Sequence, residues 1–292
     1  MKLAFALVAT MSWMGCGIDT AAPGPGGDDG TGPGTTDPGT GPGSNPGDPG
    51  DGTGPVTEAS GHITANTTWM STVHVIGTVI IDPGVTLTVA PGTTVDVTTS
   101  KGFGITVSGV LDIQGTKASN AVFRSATVGE YWSDITVPRG GVMKATYLVQ
   151  TGGGLDISST GKATLVDTHL SHVGGDLLMM SGGTLDMTYS AIGLETGRDT
   201  THCNMHVAGP AIIKASHSNI STASFGIMFY GGVNADFTYD NWFGNAADVA
   251  TQPTLPVTGD FSYSYFARGN PTNVGVTATN MATARVADAG VR

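Results

Sequence analysis

Charged residues are scarce in this 292-residue chain, and positive charge is scarcer than negative. Charged side chains make up 12% of the sequence, about half the usual share, with 12 Lys and Arg against 23 Asp and Glu. Long solvent-exposed helices need many charged side chains on their outer faces, so this deficit argues against a helical protein. The net charge of −11 opposes binding to a phosphate backbone, and we expect no nucleic-acid partner.

Cysteine is equally rare, since Cys16 and Cys203 are the only two in the sequence. Two cysteines exclude a disulfide-stapled scaffold and a zinc site built from several thiolates. We interpret Cys203 as a small buried or turn residue. The alternative is a nucleophilic thiol, which would need His202 or His206 as its base.

Long apolar runs are missing apart from one near the N-terminus. The run from Leu3 to Trp13 follows Lys2 and is too short to span a bilayer, which is typical of a signal peptide. It ends in the sequence WMGC, which resembles the lipobox of bacterial lipoproteins. The resemblance implies that residues 1–15 are removed and that Cys16 is acylated. An ordinary signal peptide with a stray Cys16 is the alternative.

The lipobox resemblance also implies a location. Gly17 follows the cysteine where aspartate would indicate retention in the inner membrane, so the resemblance implies the outer membrane of a Gram-negative cell, with the lipid on Cys16 as the membrane contact. Residues 16–55 are dominated by Gly, Pro and Asp, and from Pro23 to Pro55 there is no apolar side chain other than proline. Such a segment buries too little apolar surface to compensate for the conformational entropy lost on ordering, so we expect a disordered tether.

The remaining chain, residues 56–292, reads as one all-β domain built from repeats. Short segments with a period of two, such as Leu155-Asp156-Ile157, are bounded by Gly or Pro. Six hexamers recur at intervals of about 22 residues and end at Leu148, Leu170, Ile192, Ile220, Trp242 and Phe266. Their fourth positions form a column of small polar residues: Thr146, Thr168, Ser190, Ser218, Asp240 and Ser264.

These repeats, together with the opening segment GTVIIDPGVTLTVAPGTTVDV, resemble the right-handed parallel β-helix of the pectin lyase-like superfamily. The resemblance implies a solenoid of about nine coils of about 22 residues. A unit of that size cannot bury its apolar face alone, and stacking the units produces one continuous core.

Strand alternation assigns side chains to the two faces of one sheet. We expect the core to receive Leu155, Ile157, Leu177, Met179, Met205, Val207, Ile227 and Phe229. The outward positions are then Asp156, Leu178, His206 and Met228. This partly apolar strip predicts a binding surface or the seat of a covering loop.

One repeat exceeds the 22-residue period by six residues, and this extra length falls in the loop Gly193 to Asn204. Insertions in solenoids often lie on the binding face, and we expect this one to project as the only long loop. Glu195, Asp199, His202 and His206 could form a metal site or an acid–base set, with Arg198 as a binding residue. A calcium ion at Glu195 and Asp199 is one form of that hypothesis. The alternative, which we favour, is a solvated turn whose charged side chains pair with one another, without metal or cofactor.

The sequence contains none of the motifs that define the enzymes of this superfamily. The acidic calcium cluster typical of pectate lyases and the GHG and RIK motifs of polygalacturonases are not found. We therefore expect a non-catalytic surface module that binds a polysaccharide or another cell-surface protein, or that acts as a spacer. A polysaccharide lyase or hydrolase with a divergent site is the first alternative, and an effector delivered on a lipoprotein leader is the second.

Overall fold

A computed structural model describes residues 56–99, 102–200, 202–252, 257–268, 271 and 275–292. These residues all belong to one compact unit, Gly50–Arg292. The predicted signal peptide, Cys16 and the predicted tether lie outside the described residues. In the described ranges, no helix has the length and apolar character needed to cross a lipid bilayer.

The described residues form 24 β-strands, most of them three to six residues long. In chain order they are β1 (Val56–Ile63), β2 (Thr67–Trp69), β3 (Thr72–Ile81), β4 (Thr86–Val89), β5 (Thr94–Val97), β6 (Ile105–Val107), β7 (Val110–Gln114), β8 (Ala121–Ser125), β9 (Asp134–Val137), β10 (Val142–Thr146), β11 (Leu148–Thr151), β12 (Gly154–Val166), β13 (His169–Ser171), β14 (Leu178–Thr188), β15 (Ala191–Ile192), β16 (Cys203–Val207), β17 (Ala211–Ser216), β18 (Asn219–Ser221), β19 (Phe225–Phe229), β20 (Val233–Thr238), β21 (Asn241–Phe243), β22 (Ala247–Thr251), β23 (Val257–Thr258) and β24 (Tyr265–Phe266).

The strands pair in parallel, and those of the inner coils pair with strands one coil before and one coil after them. We call the three strips of pairing in the described chain sheets 1, 2 and 3, in the order in which each coil crosses them. Sheet 1 includes β8, β11, β13, β15, β18 and β21, and sheet 2 includes β9, β16, β19 and β22. Sheet 3 includes β7, β10, β17 and β20, while β12 and β14 bend from sheet 2 into sheet 3. The predicted right-handed parallel β-helix is confirmed.

The core is the continuous interior of this coil. In β16 and β19 the buried residues alternate with half-buried ones, so that Met205, Val207, Ile227 and Phe229 are fully enclosed. Leu155 and Ile157 of β12 are enclosed in the same way. The alternation thus directs these six side chains inward, as their sequence pattern predicts.

A ladder of buried polar side chains follows the corner between sheets 3 and 1. The backbone N–H of Thr168 donates to Ser190 Oγ at 3.1 Å, and that of Ser190 donates to Ser218 Oγ at 3.2 Å. Ser218 N–H donates to Asp240 Oδ1 at 2.6 Å, and Asp240 N–H donates to Ser264 Oγ at 3.0 Å. Each small polar side chain therefore satisfies the backbone of the coil before it, which explains the polar column in the repeats.

The first member predicted for that column, Thr146, is not part of the ladder. Thr146 pairs with Val166 and is exposed, whereas Gln150 pairs with Leu170. The hexamer ending at Leu148 was therefore aligned two residues out of register, because this coil is two residues shorter than the 22-residue repeat. The buried Gln150 takes the position of the apolar anchor, and its amide donates to the carbonyls of Gly153 and Gly154.

The C-terminal residues 275–292, which we call the return segment, run back along sheet 1 towards earlier coils. Phe261 N–H donates to Thr277 O at 2.7 Å, and Val286 N–H donates to Asn241 Oδ1 at 2.7 Å. At the far end the Arg292 guanidinium forms an ion pair with Asp167 at 2.7 Å. The return segment is therefore attached at several successive coils.

Candidate functional site

The outer face of sheet 2 carries three of the side chains that the sequence singles out, Asp156, His206 and Met228. Asp156 pairs with Met179, Met179 with His206, and His206 with Met228. Neighbouring parallel strands lie about 4.8 Å apart, so these four side chains form one strip along successive coils. Asp156, His206 and Met228 are half-buried, in agreement with their predicted outward orientation.

The outward assignment of Leu178 is wrong. Leu178 pairs with Leu155 and Met205 and is fully buried in the core, while Met179 occupies the outward position. The assignment of Met179 to the core fails for the same reason. Leu177 is buried as predicted, but it precedes β14 instead of beginning its alternation. The connection from sheet 1 to sheet 2 is one residue longer in this coil than in the coil of Ile220, so a fixed offset places the strand one residue early.

Asp176, His206 and Cys203 meet at the start of sheet 2. His206 Nδ1 lies 3.0 Å from Asp176 Oδ2, within hydrogen-bond distance. The backbone N–H of Cys203 donates to the other oxygen, Asp176 Oδ1, at 3.0 Å, and the Cys203 thiol also forms a hydrogen bond with this carboxylate. One ligating atom from each of the three side chains lies within 4.8 Å of the other two.

The strands and the adjoining loops hold this cluster in place. Asp176 lies two residues before Leu178, and Cys203 lies two residues before Met205, so register pairing brings them to adjacent positions. Thr200 Oγ1 donates to Gly175 O at 2.7 Å and accepts from His202 N–H at 3.0 Å, which fixes the loop beside Asp176. Backbone geometry therefore positions the three side chains before any ligand binds.

The imidazole of His206 is further oriented by an aromatic neighbour. Its ring stacks on that of Tyr230 with centroids 4.2 Å apart and planes 12° from parallel. The side chain of His206 is 36% exposed, whereas that of Asp176 is 15% exposed. The cluster is therefore open to solvent on the His206 side and closed on the Cys203 side.

The carboxyl of Asp176 is stabilised in its ionised form. Burial raises its pKa, but the hydrogen bond with His206 and that from the Cys203 backbone outweigh burial, so the pKa of Asp176 lies below its usual value. Because the carboxylate bonds to both Cys203 and His206, the arrangement differs from a cysteine nucleophile hydrogen-bonded to its histidine base.

The predicted set of Glu195, Asp199, His202 and His206 does not come together around one point. Glu195 accepts two hydrogen bonds from the Arg285 guanidinium of the return segment, at 2.6 and 3.1 Å. Asp199 Oδ1 accepts from the His172 backbone N–H at 2.7 Å, and its side chain is fully buried. His202 alone joins His206 near Asp176, with Nδ1 3.9 Å from Asp176 Oδ1.

The remaining loop contacts also differ from the predicted ones. Arg198 Nη2 donates to Ser224 Oγ at 3.0 Å. Burial raises the pKa of Asp199, although the hydrogen bond from His172 opposes this shift. The different partners of Glu195 and Asp199 leave a shared calcium site without structural support.

The loop is partly folded against the coil, and it is not the only long connection in the described chain. Its exposed part is residues 195–198, while Thr200, Cys203 and Asn204 are buried. A second long connection, residues 126–133, links β8 to β9 and is largely exposed, with Val128 wholly in solvent. The expectation of a single projecting loop is therefore wrong, because a corner of the solenoid accepts extra residues wherever they do not interrupt a strand.

One further carboxyl group, that of Asp134, lies near Asp156 on sheet 2. Burial raises the pKa of Asp134, and the nearby charge of Asp156 raises it further. Burial also raises the pKa of Asp156. Asp134 pairs with Gly154, and a Cβ at Gly154 would lie 2.4 Å from Asp134 Oδ1, so glycine leaves room for this carboxylate.

A separate cavity of about 460 Å³ lies between sheet 1 and the return segment. Its lining includes His169, Asn219, Glu195 and Arg285. His169 Nε2 is bonded to Gly193 O at 2.9 Å, and Glu195 and Arg285 are paired with each other. The polar groups on this side are thus engaged in holding the loop and the return segment together.

Sequence reasoning does not indicate Asp176 or Tyr230, and it assigns Met179 to the wrong face. Asp176 stands two residues before the first inward residue of its strand, as Cys203 does in the next coil, and this shared spacing would have identified the pair had the register been known. Comparisons of the chain with models of protein families, with curated proteins and with solved structures find no match. The fold defines the class of protein, a parallel β-helix, and the site must supply the argument for function.

Proposed function

We propose that the protein is an outer-membrane lipoprotein whose β-helix, resembling the pectin lyase-like superfamily, binds an extended neutral polysaccharide along the outer face of sheet 2. The carrying observation is the strip Asp156, Met179, His206 and Met228 on successive coils. Carboxylate and imidazole groups alternate there with thioethers, and Tyr230 adds an aromatic surface beside His206. Sugar rings present a similar mixture of hydroxyl groups and apolar faces, which suits such a strip.

The charge of the strip favours a neutral polymer over a polyuronate. Asp134, Asp156 and Asp176 all lie on or beside this face, and the chain as a whole is acidic. A polymer with a carboxylate on every sugar would be repelled by these groups. A neutral glycan avoids that repulsion and can still donate hydroxyl hydrogen bonds to the carboxylates.

Affinity electrophoresis in gels containing a neutral polysaccharide, compared with gels containing polygalacturonate, tests the proposal. We expect the full chain to be retarded by at least one neutral polymer, and Asp156→Asn or Met228→Ala to reduce retardation by about fivefold, or roughly 1 kcal/mol. Thr184→Ala, on the outer face of sheet 3, is the matched control and should bind as the unmodified chain does. Equal effects of the sheet 2 and sheet 3 variants would refute the assignment of the face.

Cleavage of the polysaccharide is the second candidate, because Asp134 and Asp156 lie on adjacent strands of sheet 2, offset by two residues, and the charge of Asp156 raises the pKa of Asp134. Glycoside hydrolysis commonly uses two nearby carboxyl groups, one of which has a raised pKa. Incubation of the bound polymer with the protein, followed by assays for new reducing ends and for unsaturated products, separates the two candidates. Release of products that is lost in Asp134→Asn would establish an enzyme, whereas binding without products supports the module.

The anchoring part of the proposal has its own test. Phase partitioning in a nonionic detergent should place the exported chain in the detergent phase, and Cys16→Ser should transfer it to the aqueous phase because the acylation site is lost. Cys203→Ser is the matched control, since it removes the other cysteine of the sequence and leaves the lipobox intact. Detergent partitioning that persists in Cys16→Ser would exclude the lipid anchor.

A further inference from the structure

We propose that Asp176, Cys203 and His206 form a binding site for a single zinc ion. The three side chains offer one carboxylate oxygen, one sulfur and one imidazole nitrogen, all within 4.8 Å of one another. Zinc accepts this combination of ligands in proteins, and three protein ligands with a fourth open position are typical of exchangeable or catalytic zinc sites. This site is independent of the polysaccharide proposal, because its test uses the metal alone.

The distances suit the small radius of zinc. With ligand bonds of about 2.0–2.3 Å, tetrahedral coordination places neighbouring ligand atoms about 3.3–3.8 Å apart. His206 Nδ1 and Asp176 Oδ2 are already 3.0 Å apart. Small side-chain rotations therefore bring all three ligand atoms onto one ion without movement of the strands that carry them.

The surrounding contacts orient each ligand. The Cys203 backbone N–H holds Asp176 Oδ1, which leaves Oδ2 on the side of His206. Tyr230 fixes the plane of the His206 ring, and Thr200 ties the loop to Gly175 immediately before Asp176. Such outer contacts are a regular feature of zinc sites, since they reduce the entropy lost when the metal binds.

The cluster contains a third ligating side chain that an ordinary histidine–aspartate pair lacks. His62 and Asp82 form an ion pair of similar geometry, with His62 Nδ1 2.7 Å from Asp82 Oδ1, and both side chains are open to solvent. At Asp176 the additional ligand is a buried thiol, which on binding zinc loses its proton to solvent and becomes a thiolate. His202 lies next to the cluster, with Nδ1 3.9 Å from Asp176 Oδ1. A water molecule would occupy the fourth position of the ion.

Cobalt and zinc titrations of the full chain test the site. The protein carries Cys16→Ser, so that Cys203 is its one thiol, and has no polyhistidine tag; it is stripped of metal under reducing conditions. We expect one Co²⁺ per chain, a thiolate-to-cobalt charge-transfer band in the near ultraviolet, and displacement of the cobalt by one equivalent of Zn²⁺. Cys203→Ser should abolish the band, and His206→Gln and Asp176→Asn should weaken zinc binding by about 100-fold.

The controls distinguish loss of a ligand from loss of the fold. His62→Gln removes the comparable exposed pair and should leave binding unchanged. His206 is partly exposed, so His206→Gln should retain the thermal transition of the unmodified chain even if the buried Cys203→Ser variant unfolds. Cobalt binding without a charge-transfer band, or equal zinc affinity in His206→Gln and His62→Gln, would overturn the proposal.

Discussion

Asp240 places an ionisable carboxyl group inside the core of the β-helix. Its side chain is fully buried, and Oδ1 accepts a hydrogen bond from the Ser218 backbone N–H. Oδ2 has no hydrogen-bond partner among the described residues. Burial raises the pKa of Asp240 well above its usual value, and the single hydrogen bond from Ser218 only partly opposes this effect. The neutral, protonated form is therefore the one that suits the ladder.

A raised carboxyl pKa makes folding depend on pH in a defined direction. Between the unfolded and folded pKa values of Asp240 the native state binds more protons, so the free energy of unfolding falls as the pH rises above about 4. Asp240→Asn keeps the acceptor for Ser218 and removes the charge. We expect this variant to match the unmodified chain near pH 4 and to unfold at a higher temperature at pH 8. Thermal unfolding across this range checks the prediction, which a constant difference at all pH values would contradict.

Met228 and Phe229 are adjacent in β19 but lie on opposite faces of sheet 2. Phe229 is fully enclosed, with its ring 6.5 Å from that of Phe261, whereas Met228 is half-buried on the outer face. Phe229→Ala should cost about 3–5 kcal/mol of unfolding free energy because it leaves a cavity in the core. Met228→Ala should cost less than about 1 kcal/mol. Denaturant titration of both variants measures the difference, and similar losses would mean that the two faces are exchanged.

The strand register shows which parts of the fold the sequence predicts well. In β16, Met205, His206 and Val207 alternate between apolar and polar, and their orientation follows directly from that pattern. Leu178, Met179 and Met180 are all apolar, so the sequence pattern does not indicate which of them face the core. Only pairing with β12 and β16 determines which of them point inward, and that pairing depends on the length of the preceding corner.

The candidate site was harder to predict because it is assembled at corners. The repeat spacing predicts a loop from Gly193 to Asn204, and the structure has a loop at this place, although Cys203 and Asn204 belong to β16. The sequence also indicates His202 and His206 as candidate residues. The sequence does not indicate the partners of Glu195 and Asp199. Arg285 is distant from Glu195 in sequence, and the hydrogen bond that Asp199 accepts depends on the position of the turn at His172. Corner lengths vary between coils, so contacts made there follow from the three-dimensional stacking and not from the repeat.

The return segment is held at its far end by Arg292. The guanidinium bonds to Asp167 and stacks over the Tyr189 ring at 3.7 Å, and its hydrogen bonds hold the pKa of Asp167 below its usual value. Arg292→Gln should loosen the segment and increase amide exchange at Gly290, whose N–H donates to His217 O. Hydrogen exchange measured by mass spectrometry checks this, with Arg139→Gln on an exposed turn as the control. Unchanged exchange in Arg292→Gln would show that other contacts hold the segment.

The same contact predicts a pH dependence for the return segment. Because the pKa of Asp167 is lowered in the folded chain, the stabilisation is present above the ordinary carboxyl pKa and is lost as the pH falls through the folded value. Exchange at Gly290, corrected for the intrinsic pH dependence of amides, should therefore rise in acid. The rise should be absent in Arg292→Gln, in which the ion pair is already missing.

The composition of the core changes along the molecule. The early coils bury mainly aliphatic side chains such as Val95, Leu87 and Leu111, together with single aromatic residues such as Phe123. The later coils contain a cluster of aromatic rings that contact one another. In that cluster Phe261 lies 5.1 Å from Phe237 and 5.9 Å from Trp242, measured between ring centroids. A solenoid has only nearest-neighbour contacts between coils, so its stability is distributed along its length. A coil near the end of the β-helix has fewer neighbouring coils to pack against. Large aromatic side chains there bury much apolar area, which opposes unfolding from that end.

This distribution predicts that a cavity near the end of the β-helix destabilises fewer coils than a cavity in a central coil. Phe261→Ala lies near the end of the described coils, and the cavity it creates can be relieved by local unfolding of β21 to β24, so amide exchange should increase there and remain unchanged in β7 and β10. Leu165→Ala lies in a central coil between Ala145 and Met187, where relief requires breaking the interfaces on both sides. Its exchange should increase in the coils before and after it.

Native-state hydrogen exchange of the two variants makes the comparison. A uniform increase for Phe261→Ala would show that the β-helix unfolds as one cooperative unit, because a local defect would then destabilise every coil equally.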